Sequence, residues 1–259
     1  MDKPVRLTVK AIISDIIGTT TPFNFLSETI RSLMRQHFSS MLEKCWDVAE
    51  VQLSLRLLLQ EADGDLISRD CATVSGVLDR GLHARITEIA EDQMTSGREA
   101  AALKTLQGHI LATFYEEGLL EGLVYDDVLP AFKSWKESGI GVIIYSSGST
   151  KAQNLLFKHS NVGSLVPYID AYFDTTTGRK TDPASYTAIC KEMGFEPRSV
   201  VFIADMIGEV EAAHAAGLQT LIADRPGNPC LDPERSRFAP IIQSFDVLQL
   251  TLEDDNTTE

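Results

Sequence analysis

Residues 7–15, "LTVKAIISD", limit what this chain can become more than any other stretch. The run is apolar and β-branched, and it stops on the carboxylate Asp15, with "IIGTT" following at once. Continuous apolar runs of this kind suit strands covered on both faces, as in a parallel sheet. Two more follow, "GIGVIIYSSGS" at 139–149 and "SVVFIAD" at 199–205, with a weaker "DAYFD" at 170–174 and a fifth, "LQTLIADRPGN", at 218–228. Between them lie helical patterns. "VLPAFKSWKESG" closes on Gly, "STKAQNLLFKHS" opens on a Ser/Thr cap, "DPASYTAICKEMG" opens on Asp-Pro and ends in Gly, and "GEVEAAHAAG" reads the same way. This alternation implies an α/β fold with a doubly wound parallel sheet.

One long segment breaks the alternation. Residues 23–125 hold no convincing strand and read as four helices, at 26–46, 50–62, 74–94 and 98–118. In the third, Val77, Leu78, Leu82, Ile86, Ile89 and Ala90 share one face, a core stripe. The expected organisation is an α/β core domain from 1–22 and 126–259, with an all-helical cap domain, 23–125, inserted after the first strand. Ligands in open α/β sheets bind beyond the carboxyl ends of the strands. A module inserted there is therefore expected to close over the site and exclude water. The last eight residues, "LEDDNTTE", read as a frayed acidic tail.

Composition narrows the function. A net charge of −14 disfavours nucleic acid as a partner. The first ten residues lack a signal peptide's apolar core, and no apolar stretch approaches the roughly 20 residues that span a bilayer. Cys45, Cys71, Cys190 and Cys230 are scattered and read as reduced thiols, so a cytoplasmic or nuclear monomer without membrane contact is expected.

The strand ends deliver a set of polar groups. The first gives Asp15, Gly18, Thr19 and Thr20, and the second Ser146, Ser147 and Gly148 before a helix. Lys180 follows "FDTTTGR", and Asp205 ends the fourth apolar run with Glu209 four residues on. Singly, each has an ordinary reading as a cap or turn former. Together they fit phosphoryl transfer to an aspartate. Asp15 is the nucleophile. Asp15 and Asp205 are metal ligands for Mg2+, and Glu209 orients the metal's waters. Ser146, the N–H groups of Ser147 and Gly148, and Thr19 bind the phosphate of a small-molecule substrate, and Lys180 is the point charge beside it. Asp174 orients the Lys180 loop or caps a turn. Lys104, Gln107 and His109 are either substrate contacts of the cap or its internal packing.

These residues also carry a resemblance. The Asp15 motif, the Ser after the second strand, the Lys and the fourth-strand Asp resemble the four-part signature of haloacid-dehalogenase-like hydrolases. "YDDVLPAFKSWKESGIGVIIYSSGSTKAQNLLFKHS", "YFDTTTGRK", "SYTAI", "RPGN" and "ALKTLQGHI" are similar to enolase-phosphatase E1, the acireductone synthases of methionine salvage, over nearly the whole chain. The resemblance implies a capped α/β fold, one Mg2+, and enolisation followed by dephosphorylation of 2,3-diketo-5-methylthiopentyl 1-phosphate. It also implies a departure: the family reads D-I-E-G-T-T where this chain has Ile17. In the superfamily that acid protonates the leaving oxygen and later activates water, work that isoleucine cannot do. The Ile17 backbone carbonyl still serves as a metal ligand. Ser96-Gly97-Arg98, Leu111 and Ala204 also depart from the family pattern. Three readings follow: a phosphatase without its usual acid, a repurposed enzyme that acts on a related phosphorylated or enolisable small molecule or enolises without releasing phosphate, and a non-catalytic phosphate-binding or regulatory protein.

Overall fold

The computed structural model describes residues 3–63, 78–97 and 100–253. The chain forms two compact units, Met1–Leu26 with Glu121–Glu259, and Ser27–Leu120.

The first unit is built on a six-stranded, wholly parallel sheet. Its strands are β2 (Ala11–Ser14), β3 (Gly141–Tyr145), β4 (Ala171–Phe173), β5 (Val200–Ala204), β6 (Gln219–Ala223) and β7 (Ile241–Ile242), in the order β4-β3-β2-β5-β6-β7. The run at 7–15, read as one strand, is two. β1 (Val5–Val9) pairs in parallel with β8 (Leu248–Leu252) in a separate two-stranded sheet, and Lys10 is the break. The physical reason is the Arg6/Thr8 alternation, which makes β1 half-exposed, whereas Ala11–Ser14 is buried on both faces. Lys10 spans the change with its backbone, donating to Ser199 O (2.7 Å) and accepting from Gly141 N (2.9 Å). The expected frayed tail also needs correction. Leu252 closes β8 and Glu253 N donates to Val9 O at 3.1 Å; residues 254–259 lie outside the described residues.

Alternate strand residues bury one face of the sheet: Ala11, Ile13, Ile143, Tyr145, Phe202 and Ala204 pack with Tyr186, Ile189, Val210 and Ala213. The last four belong to α7 (Pro183–Met193) and α8 (Ile207–Ala215). α7 starts where its sequence says: Asp182 accepts from Ala184 N at 2.9 Å, Pro183 sits in the first turn, and Gly194 ends it at φ 74°. The remaining helices of this unit are α5 (Val128–Glu137), ending before Gly139, and α6 (Thr150–Lys158), capped by Ser149, which accepts from Ala152 N. Phe132 and Trp135 of α5 form an aromatic cluster with Phe157 and Phe245.

The second unit is helical. A π-helical turn, Phe25–Ile30, leads into α1 (Arg31–Lys44), followed by α2 (Ala49–Asp63), α3 (Arg80–Ser96) and α4 (Ala101–Glu116). Phe38, Leu55, Ile86, Leu103 and Phe114 are among its buried side chains. α3 begins later than its apolar pattern suggested, because Asp79 caps it by accepting from Leu82 N at 2.9 Å. Leu78 therefore precedes the helix, and Val77, Cys71 and Arg98 lie outside the described residues. Ile86 and Ala90 are buried as expected, Leu82 and Ile89 half-buried. His83 joins the buried face because its Nε2 lies 3.0 Å from Ser39 O. Among the described residues no helix is long and apolar enough to cross a membrane.

Candidate active site

Strand order places the site. The chain adds β3 and β4 on one flank of β2 and β5, β6 and β7 on the other, so the order of strand addition reverses between β2 and β5. Loops at such a point separate and leave a crevice at the carboxyl ends. Ser14 is in register with Ile144 and Ile203, and Asp15 N donates to Ile203 O at 2.9 Å. Asp15 and Asp205 therefore leave adjacent strands at the same edge.

The turn after Asp15 is tight. Ile16 O accepts the N–H groups of Thr19 (3.1 Å), Thr20 (2.9 Å) and Thr21 (2.9 Å), while Gly18 N donates to Thr21 O at 2.7 Å, which leaves the Ile17 carbonyl outside these bonds. Gly18 has φ 78°, and a Cβ there would stand 2.5 Å from Asp205 Oδ2. Glycine is required on both counts: the backbone is left-handed and the side-chain volume belongs to Asp205. Thr19 is wholly buried, and its Oγ1 has no hydrogen-bond partner among the described residues. Ile17 is half-buried.

Lys180 is presented by a pinned loop. Three successive carbonyls each receive a hydroxyl: Gly178 from Tyr145 (2.9 Å), Arg179 from Ser185 (2.8 Å) and Lys180 from Tyr186 (2.6 Å). Its ammonium lies 2.5 Å from Asp15 Oδ1 and 2.5 Å from Glu209 Oε2. Burial works against the Lys180 charge, but the Asp15 and Glu209 carboxylates outweigh it and hold its pKa above the ordinary value. Burial pushes Asp205 up to about 7, helped by the negative charges of Asp15 and Glu209. Burial also raises Glu209, with Lys180 opposing and Asp15 adding to the rise.

Three carboxylates thus face one ammonium, and Asp205 Oδ1 is buried with no hydrogen-bond partner among the described residues. That imbalance fits a cation. Among the described residues no three His, Cys, Asp or Glu side chains are grouped to hold a metal. The available donors are all oxygen and too few for a closed cage, which suits Mg2+, an ion that keeps several waters, better than zinc.

The Ser146–Gly148 segment forms a loop rather than the helix start itself, since α6 begins at Thr150. Ser146 is buried, with its N–H donating to Phe173 O at 3.2 Å; Ser147 and Gly148 are exposed. Gln153, which sequence reasoning missed, ties this loop down by donating to Gly148 O (2.7 Å) and Phe173 O (2.8 Å). Its signal was a glutamine on a helix face that is otherwise apolar. Asp174 caps its own turn, accepting from Thr176 N and Oγ1, and accepts the first N–H of α6 from Thr150 at 3.1 Å. Lys104 is exposed and Gln107 and His109 are half-buried, all on α4 of the helical unit.

Residues 9–217 match the haloacid dehalogenase-like hydrolases, and this defines the class. Among individual relatives, the enolase-phosphatase E1 of Anopheles gambiae is 37% identical over 253 residues, covering 95% of this chain and 84% of the relative. That of Danio rerio is 35% identical over 248 residues, covering 93% and 95%. The chain belongs to the enolase-phosphatase E1 family. The crystal structure of the UTR4 protein of Saccharomyces cerevisiae superposes with a TM-score of 0.70 at 28% identity, over 93% of this chain and all of that one. CbbY of Rhodobacter sphaeroides, 15% identical with a TM-score of 0.54, shares the fold.

Proposed function

We propose that this chain is a Mg2+-dependent phosphatase that acts on a small phosphorylated diketone through an aspartyl-phosphate on Asp15. The observation that carries the reading is the buried Lys180, held at 2.5 Å from Asp15 and from Glu209, at the crevice that Asp205 shares. Lys180 fixes Asp15 Oδ1 and leaves Oδ2 as the attacking oxygen. Attack on phosphorus breaks the bond to the leaving oxygen, and water then releases inorganic phosphate and restores the carboxylate. Asp15, Asp205 and the Ile17 carbonyl would hold Mg2+, which when bound offsets the charge on the phosphoryl group. Ser146, with Ser147, Gly148 and Thr19, holds the phosphate oxygens, and Glu209 keeps Lys180 in place.

Ile17 bears unequally on the two steps. Enolisation of 2,3-diketo-5-methylthiopentyl 1-phosphate places the phosphate on an enol oxygen conjugated to a ketone. That oxygen leaves as a stabilised enolate and needs no proton from the protein. The water that opens the aspartyl-phosphate has no such help, so the second step carries the loss. Because Ile17 supplies no group to activate water, the one other outcome is enolisation without phosphate release. Incubation with Mg2+ and the diketo phosphate, following inorganic phosphate and enol absorbance together, decides between them. Phosphate release that Asp15→Asn abolishes supports the phosphatase; an enol signal without phosphate selects the alternative.

A further inference from the structure

Two stretches of sequence that the reaction leaves unused, "YDD" at 125–127 and "RPGN" at 225–228, meet at the Asp15 turn. Three successive carbonyls of that turn are each held by a separate donor. Gly18 O accepts from Asn228 Nδ2 (2.8 Å), Thr19 O from Arg225 Nε (2.9 Å), and Thr20 O from Tyr125 N (3.0 Å). Arg225 is only 4% exposed. Its Nη1 pairs with Asp127 Oδ2 at 2.6 Å and donates to Gln243 O at 2.9 Å. Its guanidinium carbon lies 4.8 Å from the Tyr125 ring centre and 4.5 Å from that of Phe245. Asp127 Oδ2 is itself fixed by Ser244 Oγ (2.9 Å) and Phe245 N (2.6 Å).

A buried ion pair is a poor way to gain stability, because desolvation offsets most of the attraction. What this pair supplies is direction: a planar, stacked guanidinium aims one N–H at one carbonyl. The turn it holds abuts Asp205, for Gly18 has no side chain where Asp205 Oδ2 lies. Pulling on Gly18 and Thr19 therefore fixes the distance between Asp15 and Asp205.

We propose that Arg225 and Asn228, with Asp127 as the anchor of Arg225, are positioning residues that set the spacing of the Asp15 turn against Asp205, and through it Mg2+ affinity and the aim of the nucleophile. The catalytic part of this inference rests on the phosphatase reading above; the structural part does not. Two variants test it, Asn228→Ala and Arg225→Lys, the second keeping the charge beside Asp127 while losing the aimed Nε. Three quantities are read: hydrogen exchange of residues 18–21 without metal, Mg2+ affinity by calorimetry, and kcat and KM on p-nitrophenyl phosphate.

Both variants are expected to exchange faster at residues 18–21 and to bind Mg2+ about 10–100-fold more weakly. We expect kcat to fall on the order of 10–100-fold with KM nearly unchanged, the signature of misplacement rather than lost binding. A lower melting temperature with parental exchange at 18–21, Mg2+ affinity and kcat overturns the proposal, since a merely structural role moves only the first. Should Arg225→Lys fail to fold, Asn228→Ala, which leaves the ion pair intact, decides alone. A parent that neither binds Mg2+ nor releases phosphate defeats the phosphatase reading instead. The exchange comparison then still judges the clamp, and unchanged protection at 18–21 overturns it.

Discussion

Gly18 and Asp205 occupy one another's space: the Cβ that Gly18 lacks would lie 2.5 Å from Asp205 Oδ2. A methyl group there must displace a buried carboxylate, and it also forces an L side chain to φ 78°. Gly18→Ala is expected to cost about 1–3 kcal/mol of stability from backbone strain and to lower Mg2+ affinity and phosphate release together. Denaturant unfolding and calorimetry on the same preparation check both. A variant with parental Mg2+ affinity would show that this contact does not organise the site.

An acid at position 17 should speed the second step of the proposed reaction. Ile17→Glu is expected to raise the steady-state rate of phosphate release by about 10²–10⁴-fold, the usual worth of general acid–base help. The same change combined with Asp15→Asn should remain inactive. Equal rates for Ile17 and Glu at this position would mean that another group already activates water.

Lys180, itself buried, bridges the buried Asp15 and the half-buried Glu209. Lys180→Met leaves those carboxylates facing each other without compensation. Breaking a buried pair from one side typically costs about 3–5 kcal/mol, and chemical denaturation should show a loss of that size. Saturating Mg2+ should recover part of it, about 2.7 kcal/mol at one hundred times the dissociation constant. A loss no larger than that of an exposed pair, about 0–1 kcal/mol, would contradict the buried geometry.

Asp174 supplies a pH dependence away from the metal ligands. Burial works to raise its pKa, but hydrogen bonds from Thr176 and from Thr150 N outweigh burial and hold it below 3.8. A depressed acid contributes stability that is present above its unfolded value and lost as pH falls through its folded one. Asp174→Ala should therefore cost about 1 kcal/mol at neutral pH, like the loss of a helix cap. That gap should close as the pH drops below 3.8. A gap that widens in acid would reverse the assignment.

How much of this was legible in the sequence depended on the range of the signal. Asp15 and Asp205 end apolar runs, so the crevice they share followed from strand patterning, and Lys180 could be placed beside them through strand order. α7 was bounded by Asp182-Pro183 and Gly194, all local chemistry. β1 and β2 were merged because the alternation of Arg6 and Thr8 is short. β7 was missed because two residues carry no period. The hydroxyls of Tyr145, Ser185 and Tyr186, and the contacts of Arg225 and Asn228, were not legible. A polar residue in an apolar pattern announces that it has a partner, but not that Thr19 lies 206 residues away along the chain.

In the proposed mechanism Asp15 carries the phosphoryl group and Ile17 slows its release. The most direct test mixes the protein with Mg2+ and p-nitrophenyl phosphate, whose leaving group needs no proton, quenches in acid within one turnover, and weighs the peptide containing Asp15. Phosphate is expected on Asp15 in the parent protein, much less of it in Ile17→Glu, and none in Asp15→Asn. Phosphate release that persists in Asp15→Asn, with no phosphorylated peptide at any time point, would contradict that mechanism.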